Sequence, residues 1–250
     1  MQDEPRVAIV TGGSSGIGLA TSAELVRRGY DVVLTARTED TLRAAAASIG
    51  ARWVAGDCAD PDRFAAVVAE AGRVDLLVHA AGVMAGTFVR KESLETFASV
   101  LRTNLTSAFV VAHTVLPAMG PGGRLVFLSS SSAHAPQPGR SAYSASKAGL
   151  NAFAGALAKE VERDGIAVHV VTTGPVATPM LDDVRFPMRT LGTDDVVGVI
   201  AWLDTLPANV VLPEVEVSSV GSGPFAPEPF VPEAARALGR TELPADEAHR

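Results

Sequence analysis

Seven short apolar runs recur along the chain, at 7–11, 31–35, 52–55, 74–78, 123–128, 166–172 and, more faintly, 214–217. Each is of strand length and rich in β-branched residues, and most run continuously apolar instead of alternating. A strand can be apolar on both sides only if both faces are covered, which is the condition of a parallel sheet between two layers of helices. The intervening stretches 17–28, 39–49, 61–71, 94–119, 143–163 and 194–203 are Ala-rich, with apolar residues near helical spacing and acidic residues early in several. The expectation is an α/β fold: a Rossmann-like doubly wound parallel sheet of about seven strands in a single domain, with right-handed crossovers and ligands at the carboxyl ends of the strands.

The length of 250 residues and a hydrophobic fraction of 47% suit one domain over 1–220. A formal net charge of -7 argues against nucleic acid or an anionic membrane as partner. Cys58 is the single cysteine, and the histidines lack zinc spacing, so neither an internal disulfide nor a metal is expected. The start, two acidic residues before Val7, has no basic and then long apolar stretch, which points to the cytoplasm. Residues 221–250 form a Pro-rich tail. It is either a loose end or, through Phe225, Phe230 and Val231, a segment docked on its own domain or a neighbouring subunit.

The first run ends in Thr11-Gly12-Gly13-Ser14-Ser15-Gly16-Ile17-Gly18, directly before a helical pattern. Unpaired N–H groups and the positive helix end make such a turn an anion site. Gly12 permits the turn, Gly16 lets a pyrophosphate approach the backbone, and Gly18 lets the helix pack on the sheet. The same residues also read as G-x-S-x-G, the nucleophile elbow of hydrolases, with Ser14 as nucleophile, Asp182 or Asp183 as acid and His249 as base. A purely structural βα turn is the third reading. In dinucleotide folds an acidic residue after the second strand holds the ribose 2′-hydroxyl. Here Ala36-Arg37 stands in that place, so a guanidinium is available for a 2′-phosphate, and NADP(H) is preferred with NAD(H) possible. Glu39 and Asp40 nearby would oppose that phosphate.

The fifth run ends in Ser129-Ser130-Ser131-Ser132, and Tyr143 and Lys147 follow four apart on a helical stretch. That spacing puts phenol and ammonium on one face. A cation near a phenol lowers its pKa towards the range where it can exchange a proton with an alcohol or carbonyl oxygen. Taken alone, the pair also fits an amphipathic helix with a tyrosine at its rim and a snorkelling lysine.

In order and spacing these residues resemble the classical short-chain dehydrogenase/reductase family over roughly 5–220. The glycine turn matches T-G-x-x-x-G-[IL]-G, and His79-Ala80-Ala81-Gly82 is a variant of N-N-A-G. The resemblance implies a cofactor site of Gly12, Ser14, Ser15, Gly16, Ile17, Gly18, Arg37, Asp57, Cys58, Ala80, Gly82, Tyr143, Lys147, Gly174, Val176 and Thr178. It implies catalysis by Ser130 orienting the substrate oxygen, Tyr143 exchanging the proton, Lys147 binding ribose and depressing the tyrosine pKa, and Asn104 holding a relay water. Two departures stand out. His79-Ala80 replaces both asparagines, removing an amide that ties strands together, and Thr173 replaces a proline. Ser132, His134 and Met180 are candidate substrate contacts, with Met84, Leu181 and Phe186 bordering the same pocket and Arg185 and Arg189 nearby. The implied function is NADP(H)-dependent hydride transfer between nicotinamide and a small carbonyl or alcohol substrate. The alternatives are an NAD-dependent alcohol dehydrogenase of the same family, a non-catalytic cofactor-binding protein, or the hydrolase above. A homo-oligomer, tetramer or dimer, using helices 94–119 and 143–163 is also implied.

Overall fold

The computed structural model describes residues 4–185, 187–220 and 230–242. Phe186, Phe225 and His249, named above, lie outside these residues. Seven parallel strands form one sheet: β1 (Val7–Thr11), β2 (Asp31–Ala36), β3 (Arg52–Ala55), β4 (Val74–His79), β5 (Met119–Ser130), β6 (Ala167–Thr173) and β7 (Glu214–Val217). Their order is β3-β2-β1-β4-β5-β6-β7, so the winding reverses between β1 and β4 and leaves a crevice at the carboxyl ends of those two strands.

Eight helices connect or follow the strands: α1 (Gly16–Arg27), α2 (Glu39–Ile49), α3 (Pro61–Ala71), α4 (Leu94–Leu101), α5 (Ser107–Val115), α6 (Ser141–Val161), α7 (Thr193–Asp204) and α8 (Glu233–Ala237). The continuous apolar runs are explained by the two cores. Alternate residues of each central strand face opposite layers. Ile9, Leu77, Leu125 and Phe127 pack with Phe64 of α3, Val111 of α5 and Leu150 of α6. Val10, Val78, Val126 and Leu128 pack with Leu25 of α1, Leu42 of α2 and Ile200 of α7. β7, at the edge, alternates exposed glutamates with half-buried valines, so its run in the sequence is faint.

The stretch 94–119 departs from the single helix expected. α4 gives way to a π-helical turn, Arg102–Thr106, then α5 ends at Val115, and a 3₁₀ turn over Leu116–Ala118 leads into β5 at Met119. Pro117 has no N–H to continue an α-helix. The wider π turn presents Asn104 to the loop after β4 and to α6.

The described part of the tail packs on its own subunit. Met188 and Phe230 exchange backbone hydrogen bonds (3.1 and 3.0 Å), the Ala234 N–H donates to the Asp182 carbonyl (3.1 Å), and Ala235 is fully buried. Phe230 joins a small apolar cluster with Met84, Leu181, Val184 and Met188. No described helix is long and apolar enough to cross a membrane.

Candidate active site

One cavity of about 660 Å³ runs across the crevice, and its wall is supplied by the loops at the carboxyl ends of the strands. At the β1 side it is floored by the glycine turn. Gly12 and Gly16 have φ of +69° and +53°, a left-handed conformation that side chains disfavour. A Cβ on Gly18 would stand 2.3 Å from the Gly12 carbonyl oxygen. The need for glycine at 18 is therefore that the turn folds over the helix's own first residues. Ser15 is the N-cap of α1, yet its side chain makes no cap bond, whereas Asp60 and Ser93 cap α3 and α4. The first N–H groups of α1 thus remain available to a ligand, and this cradle fits the pyrophosphate of a dinucleotide. Ser14, Ser15, Ile17 and Arg37 also line the cavity. The carboxyl of Asp57 is pushed up by burial but held below its ordinary value overall, because Ala59 N–H, Arg102 and Arg37 favour its charge. Cys58 beside it is a buried thiol raised to about 11, which leaves it protonated at neutral pH.

His79 restores the tie that the missing asparagines would have made. Ser107 Oγ donates to the Thr103 carbonyl (2.6 Å), so it accepts from His79 Nε2–H (3.0 Å). Thr11 Oγ1 accepts from the Ala81 N–H (3.1 Å) and donates to Nδ1 (2.8 Å). The neutral imidazole thus joins β1, β4 and α5. Burial, with the Lys147 charge adding to it, pushes its pKa down to about 3. Ala80 and Gly82, just beyond, line the cavity through the loop that this network fixes.

On the other side of the switch point, Ser130, Tyr143 and Lys147 meet at the cavity. Tyr143 and Lys147 are one turn apart on α6, with the ammonium nitrogen 5.9 Å from the phenol ring centroid. Lys147 Nζ donates to the Leu128 carbonyl (2.8 Å), and burial lowers its pKa to about 8. Burial raises the Tyr143 phenol above its ordinary value, opposed by the Ser130 hydroxyl and the Arg140 charge. Ser130 Oγ also accepts from the Ser132 N–H at 3.2 Å.

Asn104 is fully buried behind this group rather than on the cavity wall. Its Oδ1 accepts from the Val83 N–H (2.8 Å), and its two N–H groups go to the Val83 carbonyl (2.9 Å) and Ser146 Oγ (3.0 Å). With both amide donors spent, the side chain fixes the Gly82–Val83 loop to α6 and has no N–H left for a relay water.

Gly174, Val176, Thr178, Met180 and Ser132 line the cavity as expected, together with Met84 and Leu181. His134 does not. Its Nε2 turns to Glu214 Oε1 (2.6 Å), whose carboxylate also accepts from Thr172 (2.6 Å) and Asn151 (3.2 Å). An edge-strand carboxylate captures the imidazole away from the pocket. Arg185 is exposed, and its carbonyl accepts from Arg240 (3.2 Å). Sequence reasoning missed Arg140 and Gln137 on the wall, because loop residues carry no periodic signal. The hydrolase reading finds no support among the described residues. His79, His134 and His169 are bonded elsewhere, and His113 stacks on Phe109, so none bonds Ser14. No described cluster of His, Cys, Asp and Glu could hold a metal ion.

Residues 6–188 match the short chain dehydrogenase family. The acetoacetyl-CoA reductase of Cupriavidus necator is 35% identical over 80% of this chain and 91% of its own. The 3-oxoacyl-(acyl-carrier-protein) reductase of Escherichia coli is 34% identical over 80% of this chain and 83% of its own. Among solved structures, BdcA in complex with NADPH superposes with a TM-score of 0.78 at 28% identity, covering 85% of this chain and 93% of that one. A Burkholderia cenocepacia short chain dehydrogenase in complex with NADP gives 0.77 at 29%, covering 85% and 95%.

Proposed function

The chain belongs to the short chain dehydrogenase family, an oxidoreductase family acting between C=O and CH–OH, and from that premise we propose that it is an NADP(H)-dependent reductase of a small carbonyl compound. The observation that carries this reading is one continuous cavity that joins an uncapped glycine turn on one side of the switch point to Ser130, Tyr143 and Lys147 on the other. Preference for NADP(H) is supported by Arg37 on the cavity wall after β2, with no acidic residue at 36, and by the NADPH and NADP complexes of two similar structures. NADP(H), when bound, supplies or accepts the hydride.

The residues of the chain handle the oxygen. Ser130 orients the substrate oxygen by hydrogen bonding, and Tyr143 gives it a proton in reduction or takes one in oxidation. Lys147, anchored on the Leu128 carbonyl with its ammonium 5.9 Å from the phenol ring, holds the nicotinamide ribose, while the cation that favours the phenolate is Arg140 rather than this lysine. Asn104 is a positioning residue that ties Val83 to Ser146, one residue before that lysine. The named relatives reduce acetoacetyl-CoA and 3-oxoacyl carrier protein, which supports a ketone as the group reduced. The exposed Leu94 of α4 and Phe109 of α5 support a homo-oligomer formed through these helices.

The test is Tyr143→Phe. The variant is expected to bind NADPH as the parent does and to lose at least about a hundredfold of carbonyl reduction, the scale of one general acid. Retained turnover would remove the phenol from the mechanism.

A further inference from the structure

We infer that the substrate end of the cavity is built for a carbonyl compound that also carries a carboxylate, gripped by Arg140 with Arg189 as a second cation. The inference rests on the reductase reading above and names its substrate class.

The charges on the cavity wall are unevenly distributed. Arg37 belongs to the β2 side. Arg140 immediately precedes α6, and Arg189 follows β6, two residues before Leu191, whose N–H donates to the Pro175 carbonyl (2.8 Å). Strand order therefore places both on the catalytic side of the switch point, away from Arg37. The one acidic residue among the described wall residues is Asp57, on the cofactor side, and Arg102 already pairs with it.

Neither Arg140 nor Arg189 has a side-chain hydrogen bond or ion pair among the described residues, and the Arg189 Nε is buried without a partner. A guanidinium on a largely apolar wall with no acceptor of its own is matched by a ligand that brings one. A carboxylate matches the planar fork of arginine with two parallel hydrogen bonds, whereas an ester or amide offers a single neutral acceptor. Arg140 caps the helix that carries Tyr143 three residues on, and its charge favours the phenolate. The rest of this end, Met84, Leu181, Val184 and Met188, is apolar. The fitting ligand is a short oxo acid with an aliphatic body, small because the cavity of about 660 Å³ also has to take the dinucleotide.

The experiment uses the full chain with NADPH and a matched series of short oxo acids and their methyl esters, comparing kcat/KM within each pair. The acid is expected to be preferred by at least about tenfold, the scale of one charge-assisted bond. Arg140→Gln is expected to bring that ratio close to one, Arg140→Lys to keep part of it, and Arg189→Gln to reduce it. The ratio is the proper readout, because loss of the Arg140 charge also raises the Tyr143 pKa and slows both members of a pair. Equal use of acid and ester by the parent, or an unchanged ratio in Arg140→Gln, overturns the inference and leaves the reductase reading in place. Failure to reduce any member while NADPH still binds overturns both.

Discussion

Lowering the pH should destabilise this protein through His79, by an amount the structure allows to be worked out. The imidazole is 1% exposed, and its neutral form is the one that Thr11 and Ser107 receive. Its pKa is about 3 in the fold and 6.5 by reference. Between those values the unfolded chain binds a proton that the native state refuses, so stability falls as pH falls, and above 6.5 the contribution is flat. Integrating the linkage from about pH 7.5 to about pH 5 gives a loss of about 2 kcal/mol from this residue. His169 is also shifted down, mainly by burial, and adds loss in the same direction. Urea unfolding of the parent and of His79→Asn across this range, at fixed protein concentration, separates the two. The His169 part cancels in the difference, and the variant should lose about 2 kcal/mol less on acidification. A difference between parent and variant that does not change with pH would refute the neutral buried imidazole and the hydrogen-bond directions drawn through it.

Arg37→Ala should weaken NADPH binding by about tenfold or more while NADH binding changes little, measured by nicotinamide fluorescence titration. Gly18→Ala should abolish binding of either dinucleotide and lower thermal stability, because its Cβ would lie 2.3 Å from the Gly12 carbonyl oxygen, and backbone cannot move aside cheaply. Phe230→Ala removes the tail's apolar contact with Leu181, Val184 and Met188. Amide exchange in 181–188 should quicken and KM for the carbonyl rise, with the dissociation constant for NADPH unchanged.

The sheet was legible because six of its strands lie between helices and advertise this with apolar residues on both faces. Only β7, one side of which meets solvent, gave a faint run. The two ends of the cavity are legible for a similar reason: glycines with forced geometry and a Tyr143–Lys147 pair at helical spacing leave local marks in sequence. What failed depends on partners far along the chain. The 94–119 stretch looked like one helix because Leu, Ala and Val dominate it, and the π turn is set by Asn104 reaching Val83 and Ser146. A loop position between Ser130 and Tyr143 points His134 to the pocket, but Glu214, 80 residues away, takes its imidazole. The residue types at His79-Ala80 show that the amide tie is missing, but not that an imidazole bonding Thr11 and Ser107 through both nitrogens takes its place. Arg140 sits in a loop, where nothing local tells inward from outward.

The docking of Phe230 and Ala234 against Leu181, Asp182, Val184 and Met188 has a consequence for how the protein comes into being. Synthesis delivers β1, the glycine turn and β4 before β5, β6 and β7, so the nucleotide side can assemble first. The wall opposite is braced by Phe230 and Ala234, which leave the ribosome after every strand of the sheet. A chain that has emerged only through β7 therefore has the glycine turn and its crevice but lacks the brace behind the wall opposite.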